Sequence, residues 1–190
     1  MKTEKVDLRA NVCEGYQILL RAEAVLLLPQ DEARIREFYE KLADTCIKWA
    51  TEVHGEELRE EFLLMEGAKE RSTFRPRRYR LEMRIAHENE YFAAIVCESN
   101  LTDQWREPQQ SYHRISHVWD LREQTVLPQA QILSRFGMHL SKSHLPFRPD
   151  GIYPEGEFIV CFRNATQNAP FVEKKLCRQF KKVPREEKNT

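Results

Sequence analysis

The sequence predicts an α+β fold in which an antiparallel sheet packs on one long amphipathic helix, with additional short helices. Apolar residues recur at helical spacing between 31 and 53, whereas apolar and charged residues alternate strictly between 78 and 85. A period of 3.6 residues indicates a helix with one buried face, and a period of two indicates a strand with one solvated face. The chain has 190 residues, which favours a single domain with a substantial core.

The first predicted elements are a strand over 16–28 and a helix that starts at Asp31. Asp31 is a good N-cap residue, and Gly55 is typical of the glycine that follows a helix end. The helix is therefore expected to span 31–53. Its apolar stripe is expected to pack in the core, and it comprises Ile35, Phe38, Leu42, Cys46, Trp49 and Val53.

Short strands and helices are predicted over the rest of the chain, each from its local pattern and its bounding turn residues. They are a helical segment over 56–70, a hairpin of strands 78–85 and 91–98, a strand over 112–121, a helix over 128–135 that starts after Pro128, and a hairpin over 152–162. The predicted organisation is an N-terminal extension (1–15), one domain (16–172) and a basic C-terminal tail (173–190) with a short strand or helix at its start.

Cysteine usage and hydropathy predict a cytoplasmic protein without a membrane span. The chain has five cysteines with no CxxC spacing, which favours reduced, buried thiols and argues against a zinc knuckle or a redox motif. The N-terminus has no apolar segment typical of a secretion signal. No stretch approaches the roughly 20 apolar residues that a membrane-spanning helix needs.

Charge is balanced over the whole chain but not locally. Thirty Lys and Arg against thirty Asp and Glu exclude a globally basic nucleic-acid protein. Residues 71–84 nevertheless hold six Arg and one Glu. Arg75, Arg77, Arg78 and Arg80 are therefore candidates for binding an anion or a nucleic acid, because guanidinium groups pair with phosphate and carboxylate. The alternative is an ordinary solvated strand face.

Histidines supply the second group of candidate ligand-binding residues. His113 and His117 lie on one face of a predicted strand, about 13 Å apart, which is too far to share one metal ion. Together with His139 and His144 they define an alternative function, a hydrolase-like enzyme. The sequence has no GxSxG motif and no glycine-rich phosphate loop, so no catalytic residue, metal or cofactor is assigned and a non-enzyme is favoured.

Three strings resemble a known bacterial domain. Residues 116–127 (SHVWDLREQTVL), 152–162 (IYPEGEFIVCF) and 168–171 (NAPF) are similar to the extracytoplasmic domain of RsiV-like anti-sigma factors and related bacterial domains of unknown function. The resemblance covers 16–172 and implies an α+β binding module without membrane or sigma-binding parts. The family's lysozyme-sensing role is not carried over, because 109–113 (QQSYH) replaces its Gly-Gly-Ala-His stretch. The expected partner is a protein or a small ligand, and nucleic acid is the less favoured partner.

Overall fold

The α+β fold that the sequence predicts is confirmed, and its elements form three layers. The computed structural model describes residues 1–65, 67–102, 112–135, 145–166 and 169–177. A six-stranded sheet forms the central layer. The long helix packs on one face of this sheet, and a three-stranded sheet packs on the other face.

The six-stranded sheet follows the order of the chain, from β1 to β6. Its strands are β1 (Thr3–Glu14), β2 (Gln17–Pro29), β3 (Arg77–Glu88), β4 (Phe92–Thr102), β5 (His113–Asp120) and β6 (Thr125–Val126). Neighbouring strands are antiparallel except β2 and β3, which are parallel because the helical segment crosses over between them. The sheet is therefore mixed. Residues 1–15, expected as an extension, contain β1, which pairs with β2 along its length.

The long helix continues past its predicted end. It comprises α1 (Ala33–Trp49), a π-helical turn (Ala50–His54) and α2 (Gly55–Leu64), and the short helix α3 (Ala68–Thr73) follows. The prediction that Gly55 ends the helix is wrong, because its φ of −65° is helical. A Cβ at Gly55 would lie 2.9 Å from Cγ2 of Val12, so glycine is needed for the close approach of β1.

The buried face of α1 is rotated relative to the predicted stripe. Ile35, Tyr39 and Ala43 are fully buried. Trp49, which was expected in the core, is 49% exposed, and Phe38 is 37% exposed. Tyr39 takes the central position because its hydroxyl group finds hydrogen-bond partners inside, which lets a polar aromatic residue be buried without penalty.

The second sheet is antiparallel and consists of β7 (Gly151–Glu155), β8 (Phe158–Arg163) and β9 (Val172–Cys177). The predicted hairpin over 152–162 is β7 and β8, and β9 begins where the basic tail was expected. Gly151 lies so close to Phe162 that a Cβ there would come within 2.2 Å of the ring. This sheet and helix α4 (Gln129–Arg135) enclose a second core against β4 and β5.

The described part of the chain contains no helix long and apolar enough to span a membrane. Cys97 and Cys161 are buried free thiols. Among the described residues, no group of three or more potential ligands is placed to hold a metal ion.

Candidate binding face

The arginine-rich strand β3 alternates between its two faces, as predicted. Tyr79, Leu81 and Met83 are buried, whereas Arg78 and Arg80 are exposed. The four arginines predicted as one site do not share a face. Arg77 pairs with Glu61 on α2, at 2.9 Å, and Arg75 precedes the strand.

Arg78 is an exposed arginine of β3. It lies in a row of residues that are directly opposite one another on four neighbouring strands. Asn11 on β1 pairs with Arg21 on β2, Arg21 with Arg78, and Arg78 with Thr102 on β4. We call these four residues the arginine row. The row holds two guanidinium groups, one amide and one hydroxyl, and no carboxylate.

Arg21 and Arg78 are both exposed and stand directly opposite each other on neighbouring parallel strands. Neither forms an ion pair with a residue that the structure describes. Like charges in such cross-strand positions are destabilising, by a few tenths of a kcal/mol to about 1 kcal/mol. An anion between the two guanidinium groups would remove that repulsion and would accept hydrogen bonds from both.

The adjacent row shows the contrasting, neutralised arrangement. Arg80 lies opposite Glu23 in the register, with 3.4 Å between Nε and Oε1, and its other nitrogen contacts Glu82 at 2.5 Å. Arg80 therefore already forms ion pairs with two carboxylates. The arginine row is the part of this face that lacks them.

Over β4 and β5, the second sheet covers this same face of the six-stranded sheet. Arg114 lies there and is buried, with 8% exposure. Its guanidinium group forms ion pairs with Glu98, at 2.8 Å, and with Glu173 of β9. It also donates to the hydroxyl groups of Tyr112 and Tyr153. Burial alone lowers the pKa of Arg114, but the hydrogen bonds to Glu173 and Tyr112 outweigh it and raise the pKa above its usual value.

Arg84, the last arginine of β3, belongs to the same network. It donates to Glu155 of β7 at 2.8 Å and to the Tyr153 hydroxyl at 3.2 Å, and Glu155 also binds Lys175 at 2.6 Å. These contacts fasten the second sheet to the first. No local sequence motif indicates this network, because its charged groups come from five different strands.

His117 lies in an aromatic cluster under helix α1. Nε1 of Trp119 donates to the Tyr39 hydroxyl at 3.1 Å, and that hydroxyl lies 3.1 Å from Nδ1 of His117. Because the hydroxyl oxygen accepts from Trp119, its own hydrogen is free to be donated to Nδ1. Burial lowers the pKa of His117, which favours the neutral imidazole that accepts this bond.

His113 has a different set of neighbours from His117. Its Nε2 lies 3.3 Å from the side-chain nitrogen of Asn164, and that nitrogen also donates to the backbone oxygen of Arg114. His139 and His144 lie outside the described residues. The described contacts do not join His113 and His117 into one site, so the hydrolase alternative gains no support from them.

These observations define the class: an α+β domain with a helix and a second sheet on opposite faces of a mixed sheet, and an exposed arginine row beside the second sheet. Solved structures with a similar fold include a DUF3298 family protein from Pseudomonas aeruginosa PAO1. It is 16% identical, with a TM-score of 0.54 over 92% of this chain and 89% of that chain. A member of the same family from Bacteroides fragilis NCTC 9343 is 10% identical, with a TM-score of 0.43 over 92% and 88% of the two chains.

The first of these likenesses shows the fold and no more. DUF3298 proteins form a bacterial domain family of unknown function, which agrees with the predicted similarity to bacterial domains of unknown function. The narrower resemblance to RsiV-like anti-sigma factors stays a prediction. No protein-family model matches the sequence, and no curated protein matches it.

Proposed function

We propose that this chain is a cytoplasmic binding module, not an enzyme, which recognises a carboxylate-rich segment of a protein partner through the arginine row. The observation that carries the proposal is the direct register of Arg21 with Arg78 on an exposed sheet face. The arrangement is unfavourable in the free protein and becomes favourable when an anion binds between the two side chains. The resemblance to RsiV-like sensor domains is a second, independent reason to favour a binding module.

Carboxylates of a protein fit this face better than the backbone of a nucleic acid. Glu23 and Glu82 lie beside the arginine row on the same face. A continuous phosphate backbone would pass close to these acids, whereas a short acidic segment needs only the row itself. The zero net charge of the chain likewise provides little long-range attraction for a nucleic acid.

Fluorescence anisotropy with a labelled oligoglutamate peptide tests the proposal. We expect binding that weakens as NaCl rises from about 50 to about 300 mM, because exposed ionic contacts are screened. Arg21→Gln and Arg78→Gln together are expected to reduce the affinity by up to about tenfold, since each exposed ion pair contributes up to about 1 kcal/mol.

The matched control is Arg59→Gln, which removes an exposed arginine of α2 that lies 4.0 Å from Glu14. It removes one positive charge, as each of the two row substitutions does, but it leaves the arginine row intact. The affinity for oligoglutamate should therefore not change. A single-stranded oligonucleotide of equal charge is the competing probe. Tighter binding of the oligonucleotide, or equal losses with Arg59→Gln and the row variants, would overturn the proposal.

A further inference from the structure

The outer backbone edge of strand β1 is not used by the proposed function, which takes from this strand only the side chain of Asn11. The strand is 12 residues long and lies at the end of the six-stranded sheet. Strands of globular proteins commonly have about five or six residues, and exposed edges are usually short, bulged, charged or interrupted by proline. The pairing of β1 with β2 is regular from Thr3 to Val12 and shifts only after that residue. The sequence of the strand contains no proline.

We infer that β1 pairs antiparallel with β1 of a second copy of this chain, centred on Leu8. The charges of the strand are self-complementary in this register. Asp7 of each copy then lies opposite Arg9 of the other, and Lys5 lies opposite Asn11. The resulting two-fold axis is perpendicular to the sheet, so the two six-stranded sheets join into one continuous sheet.

The free strand carries the groups that such pairing needs. Asp7 and Arg9 are both exposed on the outer face of β1. Asp7 contacts only Lys5 among the described ion pairs, at 3.3 Å between exposed groups, which is a weak interaction. Arg9 forms no ion pair with any residue in the described part of the chain.

The opposite face of the strand fits the same register. Val6 and Leu8 are half-buried and pack on the hydrophobic core between helix α1 and the six-stranded sheet. Centring on Leu8 places the two Leu8 side chains next to each other and Val6 next to Ala10 of the second copy. Both apolar pairs extend the covered face of the sheet, and cross-strand apolar contacts of this kind stabilise an antiparallel pair.

Neighbouring registers are disfavoured by charge or by side-chain direction. Centring on Asp7 would oppose two aspartates and would set Lys5 against Arg9, and centring on Arg9 would oppose two arginines. A shift by one residue would put the charged face of one strand beside the apolar face of the other, because side chains alternate along each strand. Of the registers centred on Asp7, Leu8 and Arg9, the one centred on Leu8 pairs opposite charges.

Light scattering coupled to size-exclusion chromatography of the full chain tests the inference. Between about 1 and about 500 µM the mass should rise from 22.6 kDa towards twice that value, as mass action requires. Asp7→Arg alone and Arg9→Asp alone should each stay monomeric, because each opposes like charges twice at the interface. Asp44→Arg, a charge reversal on the exposed face of α1, should dimerise like the wild type.

The decisive measurement combines the variants. An equimolar mixture of Asp7→Arg and Arg9→Asp should form a heterodimer, since each basic pair then meets an acidic pair, and the chain carrying both substitutions should again form a homodimer. A wild type that stays at 22.6 kDa throughout overturns the inference. So does a mixture of the two single variants, both folded by circular dichroism, that remains monomeric.

Discussion

Replacement of Tyr39 by phenylalanine tests the interpretation of the aromatic cluster under helix α1. The change removes one oxygen atom from a fully buried side chain. That oxygen accepts from Nε1 of Trp119 and lies within hydrogen-bond distance of Nδ1 of His117. Burial raises the pKa of Tyr39 well above its usual value, so the hydroxyl group is protonated and able to donate.

The expected cost follows from what the substitution leaves behind. Trp119 is only 3% exposed, so its indole N–H would be left without an acceptor in a place that water does not readily reach. An unsatisfied buried donor costs about 1–3 kcal/mol. We therefore expect Tyr39→Phe to lower the free energy of unfolding by about 2 kcal/mol and Tm by about 4–8 °C for a chain of this size.

Urea unfolding followed by tryptophan fluorescence measures this change, and an unaltered m-value would show that the two-state comparison holds. Tyr16→Phe is the matched control, because Tyr16 is fully exposed and its hydroxyl should contribute nothing measurable. A Tyr39→Phe variant within about 0.5 kcal/mol of the wild type would refute the view that this hydroxyl satisfies buried partners.

Three further predictions concern the Gly55–Val12 contact, the Arg114 network and the histidines of β5. Gly55→Ala should destabilise the protein by about 1–3 kcal/mol despite the better helix propensity of alanine, because the added Cβ would lie 2.9 Å from a Val12 methyl group. In a double-mutant cycle measured by urea unfolding, Val12→Ala should recover part of that loss. Additive effects of the two changes would contradict the contact. Arg114→Met should cost about 1–3 kcal/mol by the same assay, since the partly exposed carboxylates of Glu98 and Glu173 lose the buried guanidinium group that pairs with them. A neutral result would show that the network is dispensable. Burial lowers the pKa of His117 and of His113 below the ordinary value of 6.5, so the unfolded chain takes up protons first and the free energy of unfolding should fall as the pH drops below about 6.5. His117→Asn should flatten that dependence, and an unchanged pH profile would argue against a half-buried neutral imidazole.

Local periodicity predicted much of the secondary structure. Alternation along Arg78, Tyr79, Arg80 and Leu81 correctly identified β3 and its exposed side, because side-chain direction in a strand depends only on position. The same reasoning misplaced the end of the long helix at Gly55. Glycine is common after helices, but here it serves a close contact with a strand more than 40 residues earlier in the sequence, and no local pattern records such a contact.

The candidate site was only partly visible in the sequence. The arginine-rich segment identified Arg78, but its partner Arg21 lies on a different strand and stands alone in the sequence among apolar residues. Their juxtaposition depends on the parallel register of β2 with β3, which the crossover helix sets. Arg77, next to Arg78 in the chain, faces the other way and binds an acid of α2.

The sequence by itself determined that this is an α+β chain of balanced charge, with one long amphipathic helix and an arginine-bearing strand, because those features follow from composition and from periods of two and 3.6 residues. Only the tertiary structure decided which charges are paired and which are left open. Strand order and register set the distance between residues far apart in the chain, and they bury Arg114 among carboxylates while they leave Arg21 and Arg78 side by side on an exposed face.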